Sequence, residues 1–310
     1  MVNLIFDNKY LQSDGKFLNA IPLTPSTLTG ITMTTTKDGL FSMTLKGSGD
    51  VVVDWADGSA QETKTLTSSP LVISHTYTAG TKTLAISNPS VVTSVVASTQ
   101  NITDCNISSE CTGLTHLDLK QNGLTSFTTN PLWNPSYIYL DSNQLTSFTT
   151  YSNWTNLIQL YLNNNKIGTL TAYSTWTNLS ILHLYNNQLS GFTAYSQWTS
   201  LSSLYLGLNY MTSFTAYPQW TNLSILQLSD LPLTTFTAYS NWNSMYYFSV
   251  QNAAISSATD INNILIALDS TNMNTGDFVF MQGGTNATPT GTGLTAKSSL
   301  ISKGVSVSTN

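Results

Sequence analysis

Between residues 91 and 258 the apolar side chains follow two rhythms at once. Locally they alternate, as in Leu157-Ile-Gln-Leu160-Tyr-Leu162, which predicts a short strand with Leu160 and Leu162 on one face. Over longer distances the same motif returns. Tryptophans stand at 133, 154, 176, 198, 220 and 242, spaced 21 residues apart once and 22 thereafter. One register then aligns Leu117, Leu119, Asn122, Leu124 and Phe127 with Ile138, Leu140, Asn143, Leu145 and Phe148, and with Leu160, Leu162, Asn165, Ile167 and Leu170. Two further copies hold Leu182, Leu184, Asn187, Leu189 and Phe192, then Leu204, Leu206, Asn209, Met211 and Phe214. Later copies decay, with Leu231 and Ala253 where the asparagine belongs, and Val95, Ala97, Gln100, Ile102 and Cys105 read as a degenerate first turn. Side chains that return at a fixed period point the same way, so the pattern predicts a stacked coil with one strand per turn. The Thr-Ala-Tyr-Ser-x-Trp segment after each inward Phe or Leu is short and β-branched, which predicts an extended or 3-10 convex side. Trp154, Trp176, Trp198 and Trp220 each sit three residues before a template leucine, which favours the core over an exposed aromatic ladder.

The pattern L-x-x-L-x-L-x-x-N-x-L-x-x-F, in eight copies over residues 91–258, resembles the leucine-rich repeat in its short 22-residue bacterial form. The resemblance implies a right-handed solenoid with a concave parallel sheet. Asn122, Asn143, Asn165, Asn187 and Asn209 are its expected structural ladder, turning each corner and pairing with backbone groups of adjacent turns. Each such bond adds about 0.5–1.5 kcal/mol, while each buried Leu or Phe adds about 1.5–3 kcal/mol. Apolar packing therefore holds the coil, and the ladder sets its shape. Loss of the ladder after Asn209 marks an altered, capping end.

Ahead of the coil, residues 31–90 alternate in short runs: Ile31-Thr-Met-Thr, Phe41-Ser-Met-Thr-Leu, Val51-Val-Val-Asp-Trp55, Pro70-Leu-Val-Ile and Thr83-Leu-Ala-Ile86, separated by Gly, Asp and Ser clusters. That spacing predicts a β-sandwich. Trp55-Ala-Asp57-Gly58-Ser59 and the later His75-Thr-Tyr77 resemble the immunoglobulin-like domain of the polycystic-kidney-disease (PKD) type, with Ala56 where a glycine is usual. Asp54 and Asp57 read as Asx-turn residues rather than as a calcium or catalytic pair, and His75 as a structural hydrogen-bonding residue. After residue 258, Thr259-Asp260 opens a helical run over Ile261–Leu268. The strand Asp277–Phe280, a Gly283-Gly284 turn, a helix near Gly293–Lys303 and a closing strand at Val305–Val307 follow. These two longer turns form an α/β cap, expected to cover the open end of the coil. Residues 1–30, with Leu4, Ile5, Phe6, Tyr10, Leu11 and Phe17, form an apolar arm. It is read either as an attachment segment or as a strand added to the sandwich. The expected organisation is thus mainly β: arm 1–30, sandwich 31–90, repeats 91–258 and cap 259–310.

Composition narrows the function. Hydrophobic residues make up 41% of the chain and charged residues only 8%, so Ser, Thr, Asn and Gln carry its solubility, as on proteins that work outside cells. Ten basic residues, scattered within a net charge of -5, argue against nucleic acid. No apolar stretch reaches a membrane span, and the start lacks the basic and apolar regions of a secretory signal. An exterior surface without an export signal fits a virion protein, or a bacterial surface protein after trimming. Cys105 and Cys111 fall at inward positions and read as buried thiols, a local disulfide being the alternative. No phosphate loop, HExxH or GxSxG motif is present, and His75, His116 and His183 lie in different contexts, so neither an enzyme, a metal nor a cofactor is expected. Asp118 and Asp141, one turn apart, are a weak carboxylate pair on an open face.

The outward strand positions carry the interest. Asp118, Tyr139, Tyr161, His183, Tyr205, Gln227 and Ser249 form one row, flanked by His116, Tyr137, Lys120, Asp141, Asn163 and Tyr185. At about 4.8 Å per strand the stripe spans roughly 30 Å. Rings beside amides and carboxylates suit sugar faces or a protein surface. Tyr137, Tyr139, Asp141, Tyr161, Asn163, His183, Tyr185 and Tyr205 are therefore the expected ligand-binding residues. The pairing of this sandwich type with short repeats resembles surface proteins of Bacteroidetes-type bacteria and of their phages. The resemblance implies a recognition or adhesion protein on a virion, binding a host-surface or mucus glycan or a host protein, with the arm contacting other virion proteins and a homo-oligomer compatible. A structural virion spacer and a secreted bacterial adhesin are the alternatives.

Overall fold

The computed structural model describes residues 30–310 and, ahead of them, the backbone of three short strands: β1 (Ile5–Phe6), β2 (Lys9–Leu11) and β3 (Phe17–Asn19). These pair antiparallel in chain order, Ile5 opposite Tyr10 and Lys9 opposite Asn19. The remainder of the expected arm, and its attachment role, lie outside the described residues.

Two sheets follow. The strands β4 (Ile31–Thr35), β5 (Gly39–Gly47), β6 (Gly49–Asp54), β7 (Glu62–Leu66), β8 (Leu71–Tyr77) and β9 (Lys82–Ile86) are completed by β10 (Val92–Val96) and β11 (Ile102–Ile107). One sheet runs β11-β4-β9-β6-β7, and the other begins β8-β5-β10. Period-two alternation in the sequence becomes period-two burial: β4 buries Ile31 and Met33, and β5 buries Phe41, Met43 and Leu45. These side chains meet Val51, Val53, Trp55 and Leu84 in one apolar cluster.

The seam expected between residues 90 and 91 is not a break in the sheet. Val95 on β10 stands opposite Leu45 on antiparallel β5 and, on its other side, opposite Leu117 of the parallel strand β12 (His116–Asp118). The segment read as a degenerate first turn is shared: β10 opens the solenoid, while β11 pairs with β4, Cys105 opposite Met33. Both thiols are free and buried in this structure.

From β12 the coil continues through β13 (Tyr137–Tyr139), β14 (Gln159–Tyr161), β15 (Ile181–His183), β16 (Ser203–Tyr205), β17 (Ile225–Gln227) and β18 (Tyr247–Ser249), all parallel and in register. Leu117, Ile138, Leu160, Leu182, Leu204, Leu226 and Phe248 stand opposite one another, each 0% exposed. The six repeat tryptophans are equally buried. Trp154, Trp176, Trp198 and Trp220 stack within 17° of parallel, and Trp176, Trp198, Trp220 and Trp242 each donate Nε1–H to a tyrosine carbonyl of the preceding coil. The single 21-residue interval breaks this order: Trp133 meets Trp154 edge-on at 76°, and Trp154 Nε1 is left without an acceptor. The convex side is neither strand nor 3-10 helix but a pair of turns, in which Trp176 N–H donates to Tyr173 and Leu179 N–H to Trp176.

The asparagine ladder works as a two-way clamp. Asn187 Nδ2 donates to Leu184 O of its own coil (3.1 Å) and Leu162 O of the coil before (2.9 Å), while Oδ1 accepts from Ile167 N–H at 3.0 Å. Asn143, Asn165 and Asn209 repeat this pattern. Asn122 does the same against Ala97, with its Oδ1 accepting from Gln100 and Ile102. The residue just before each ladder position turns left-handed: Gln121, Ser142, Asn164, Asn186, Leu208, Asp230 and Asn252 have φ between 52° and 59°. Asn and Asp tolerate that conformation best, so the asparagine preceding the ladder has its own backbone reason. The ladder is interrupted at Leu231 and Ala253 but does not end at Asn209. Asn286 resumes it, donating to Val250 O and Met281 O and accepting from Ile255 N–H.

At the C-terminal end, α1 (Ala258–Asp269), β19 (Phe278–Met281), α2 (Gly291–Ser302) and β20 (Ser306–Thr309) form two longer turns. The cap of α1 is Ser257, whose Oγ accepts from Asp260 N–H, rather than Thr259-Asp260. The helices pack on each other, and β19 and β20 join the sheet in parallel. The expected cap therefore lengthens the concave sheet by two strands instead of closing its edge. No helix among the described residues is long and apolar enough to cross a membrane.

Candidate functional site: the concave face

Parallel, in-register strands place equivalent outward residues in rows. The first row runs His116, Tyr137, Gln159, Ile181, Ser203, Ile225, Tyr247 and Phe278. The second runs Asp118, Tyr139, Tyr161, His183, Tyr205, Gln227, Ser249 and Phe280. Two residues further along each strand direction lie Lys120, Asp141, Asn163 and Tyr185.

His116 of the first row and four residues of the second form a rail of rings. His116 lies 5.5 Å from Tyr139, Tyr139 5.1 Å from Tyr161, Tyr161 5.4 Å from His183, and His183 4.4 Å from Tyr205. Edge-to-face and tilted contacts at these distances are favourable, and they hold each ring upright beside its neighbour. All five rings are partly exposed, so the rail is a surface and not a core. Tyr137 stands beside it, 5.7 Å from His116, and Tyr139 Oη donates to Gln159 Oε1 at 2.6 Å.

The electrostatics of the rail are muted. Burial pushes the Asp141 carboxyl up and the hydroxyls of Tyr139, Tyr161 and Tyr205 up as well. Burial pushes His183 down to about 4 and His116 down too, so both imidazoles are neutral at ordinary pH. Asp118 is occupied by Ser98 Oγ, Lys120 N–H and Lys120 Nζ, the last at 3.1 Å. Its charge adds to the upward push on Asp141. Asn163, 8% exposed, has an amide oxygen buried without any hydrogen-bond partner among the described residues. Such a group costs about 1–3 kcal/mol until a donor reaches it.

Of the expected binding residues, Tyr139, Tyr161, His183 and Tyr205 form the rail, and Tyr137, Asp141, Asn163 and Tyr185 flank it. A second ring cluster escaped the repeat register. Phe278 and Phe280 stack at 5.7 Å, and Phe280 lies 5.8 Å from Tyr247. Gln282 follows on the same face, its Oε1 also buried and unpartnered. The signal was present in Phe278-x-Phe280, which repeats the Tyr137-x-Tyr139 spacing, but the inserted helix displaced it from the 22-residue period. Between the clusters the floor is flat and polar. Gln227 and Ser249 are buried, and Gln227 Oε1 accepts from Gly207 N–H at 3.1 Å. A side chain at position 207 would collide with that amide, with Gln227 Oε1 only 2.6 Å from an added Cβ.

The Trp55 loop behaves otherwise. Asp54 accepts from Ala56 N–H at 2.8 Å and from Gln61 Nε2, while Asp57 accepts from Ser59 N–H at 3.0 Å and bonds His75 Nε2 at 2.6 Å. Hydrogen bonds from Ser59, and then from His75, hold the Asp57 carboxyl well below the usual carboxylate range. His75 stacks on Trp55 at 4.8 Å, and Tyr77 Oη donates to Trp55 O. Ala56 has φ 57°, the conformation for which glycine is the usual residue. No group of three His, Cys, Asp or Glu among the described residues is arranged to hold a metal ion.

No protein-family model and no curated protein sequence matches this chain. Among solved structures it is similar to the functional domain of InlJ from Listeria monocytogenes, described as including a cysteine ladder, at 19% identity and a TM-score of 0.48, over 73% of this chain and 50% of that one. An internalin C2 of the same species is similar at 18% identity and a TM-score of 0.46, over 60% of this chain and 80% of that one. A leucine-rich-repeat protein of Leptospira interrogans, LIC12759, follows at 15% and 0.31, over 65% and 62%. The chain spans half the length of the first of these. The likeness concerns the coil architecture alone.

Proposed function

We propose that this chain is a non-enzymatic recognition protein, displayed on a virion or cell surface, that adheres to a host-surface glycan through the concave face of its solenoid. The observation that carries the reading is the unbroken rail His116–Tyr139–Tyr161–His183–Tyr205, flanked by an amide oxygen that no donor among the described residues reaches. Packing alone asks for neither, because the solenoid core lies on the other side of the sheet. Upright rings offer apolar area with polar tips, which suits the C–H faces and hydroxyls of sugars. In this reading the first domain is a PKD-type sandwich, supported by the Trp55, Asp57, His75 and Tyr77 cluster, and serves as the mount for the coil. A setting outside cells, on a virion or a cell surface, is favoured by the low share of charged residues, 8% of the chain.

Binding to a glycan array, repeated with Tyr161→Ala and Tyr205→Ala, tests the reading. Both variants are expected to lose binding while keeping the fold. Undiminished binding by both removes the concave face from consideration, and the absence of any glycan or protein ligand leaves a spacer. Detection of the chain in purified particles, against its detection on bacterial envelopes, separates virion from adhesin.

A further inference from the structure

Two places on the concave sheet share a design that neither the repeat nor the core requires. On β14, Tyr161 is followed two residues later on the same face by Asn163; on β19, Phe280 is followed in the same way by Gln282. In both pairs the amide oxygen is buried without a hydrogen-bond partner among the described residues. Rings flank both: Tyr139 and His183 beside Tyr161, Tyr247 and Phe278 beside Phe280. β14 and β19 are five strands apart in one sheet, about 24 Å at about 4.8 Å per strand. Between them His183 and Tyr205 carry the rail on to β16, and beyond it Gln227 and Ser249 are buried.

We propose that these pairs are two subsites of one groove, and that its ligand is a linear, uncharged, hydroxyl-bearing polymer, a neutral polysaccharide, laid across the strands from β14 to β19. The proposal rests on the concave face being the binding surface and adds a second subsite and a ligand class to it. An amide oxygen without a donor calls for an O–H or N–H from outside. A half-turn about the terminal side-chain torsion, which is soft and roughly two-fold, turns that oxygen toward the groove. Rings two residues away supply platforms for C–H faces. The face offers little charge to complement an ionic polymer: from Tyr137 to Gln282 the charged residues are Asp141, Lys166, Asp230, Asp260, Asp269 and Asp277. A repeated site five strands away matches a ligand that itself repeats.

The experiment is calorimetric titration with neutral linear glucan, mannan, xylan and chitin oligomers, shorter and longer than the span between subsites. For the oligomer that binds, the long form is expected to bind about 10²-fold tighter than the short one, because the second contact becomes intramolecular. Phe280→Ala, or Gln282→Ala should the first fail to fold, reduces the long form to the affinity of the short and leaves the short form unchanged; Tyr161→Ala weakens both. Equal affinity at both lengths, or no response to Phe280→Ala and Gln282→Ala, overturns the second subsite, while a loss in Tyr161→Ala still upholds the concave face. Binding by charged glycans or proteins with none by any neutral oligomer overturns the ligand class. Indifference to all three variants sinks both readings.

Discussion

The Trp55 loop and the concave face are built from the same kinds of side chain, yet they use them differently. In the loop every polar group named above is engaged within the protein: Trp55 Nε1 by Glu62 at 2.7 Å, Asp54 by Ala56 and Gln61, Asp57 by Ser59 and His75, Tyr77 by Trp55 O. On the concave face Asp141 makes no salt bridge and the Asn163 oxygen has no donor among the described residues. Rings and carboxylates close together do not by themselves mark a binding site. What sets the concave face apart is polar valence left unpaired, because natural structures rarely leave buried polar groups without a partner.

Substitutions can break or sharpen that contrast. The largest effect is expected in the shared core: Trp198→Ala removes a fully buried ring of the stack and should cost about 3–5 kcal/mol in urea denaturation. A loss under about 1 kcal/mol would contradict the role of the stack. Next comes the ladder. Asn187→Ala leaves Ile167 N–H and the Leu162 and Leu184 carbonyls without their amide, at a cost of about 2–3 kcal/mol. His75→Ala is expected to destabilise by about 1–2 kcal/mol, through its bond to Asp57 and its stacking on Trp55, with ligand affinity unchanged. Altered affinity in that variant would dissolve the distinction between loop and face. Tyr161→Ala should do the reverse, weakening binding with a stability change below about 1 kcal/mol.

A further test is in pH. His183 is held down to about 4 by burial, against about 6.5 in an unfolded chain. Below pH 6.5 the unfolded state takes up a proton that the folded state refuses, so stability falls as pH drops from about 6.5 toward 4. His183→Gln is expected to flatten that slope in thermal melts at successive pH values. An unchanged slope would mean the imidazole is not shielded as described.

Much of this was legible in the chain before any coordinates, and the reasons differ by region. Strict periodicity made the inward leucines, the tryptophans and the first aromatic rail readable, since equal spacing in a coil means equal direction. Phe280 and Gln282 were hidden because a helix had been inserted between β18 and β19, so no fixed period reached them. Asn286 was missed for the same reason, although it resumes the work of Asn209. The left-handed row from Gln121 to Asn252 has mixed residue types, and only its asparagines and aspartate hinted at the backbone turn. The double allegiance of β10 was unreadable from either pattern alone, because Val92–Val96 satisfies the alternation of a sandwich strand and of a repeat strand equally well.

That strand has a mechanical consequence. Because β10 is bonded to β5 on one side and β12 on the other, mount and coil are welded edge to edge instead of tethered by a linker. Swivelling one against the other would mean tearing a ladder of backbone bonds. Shear or tension applied to the coil is therefore passed straight through to the first domain, and the two turn as one piece.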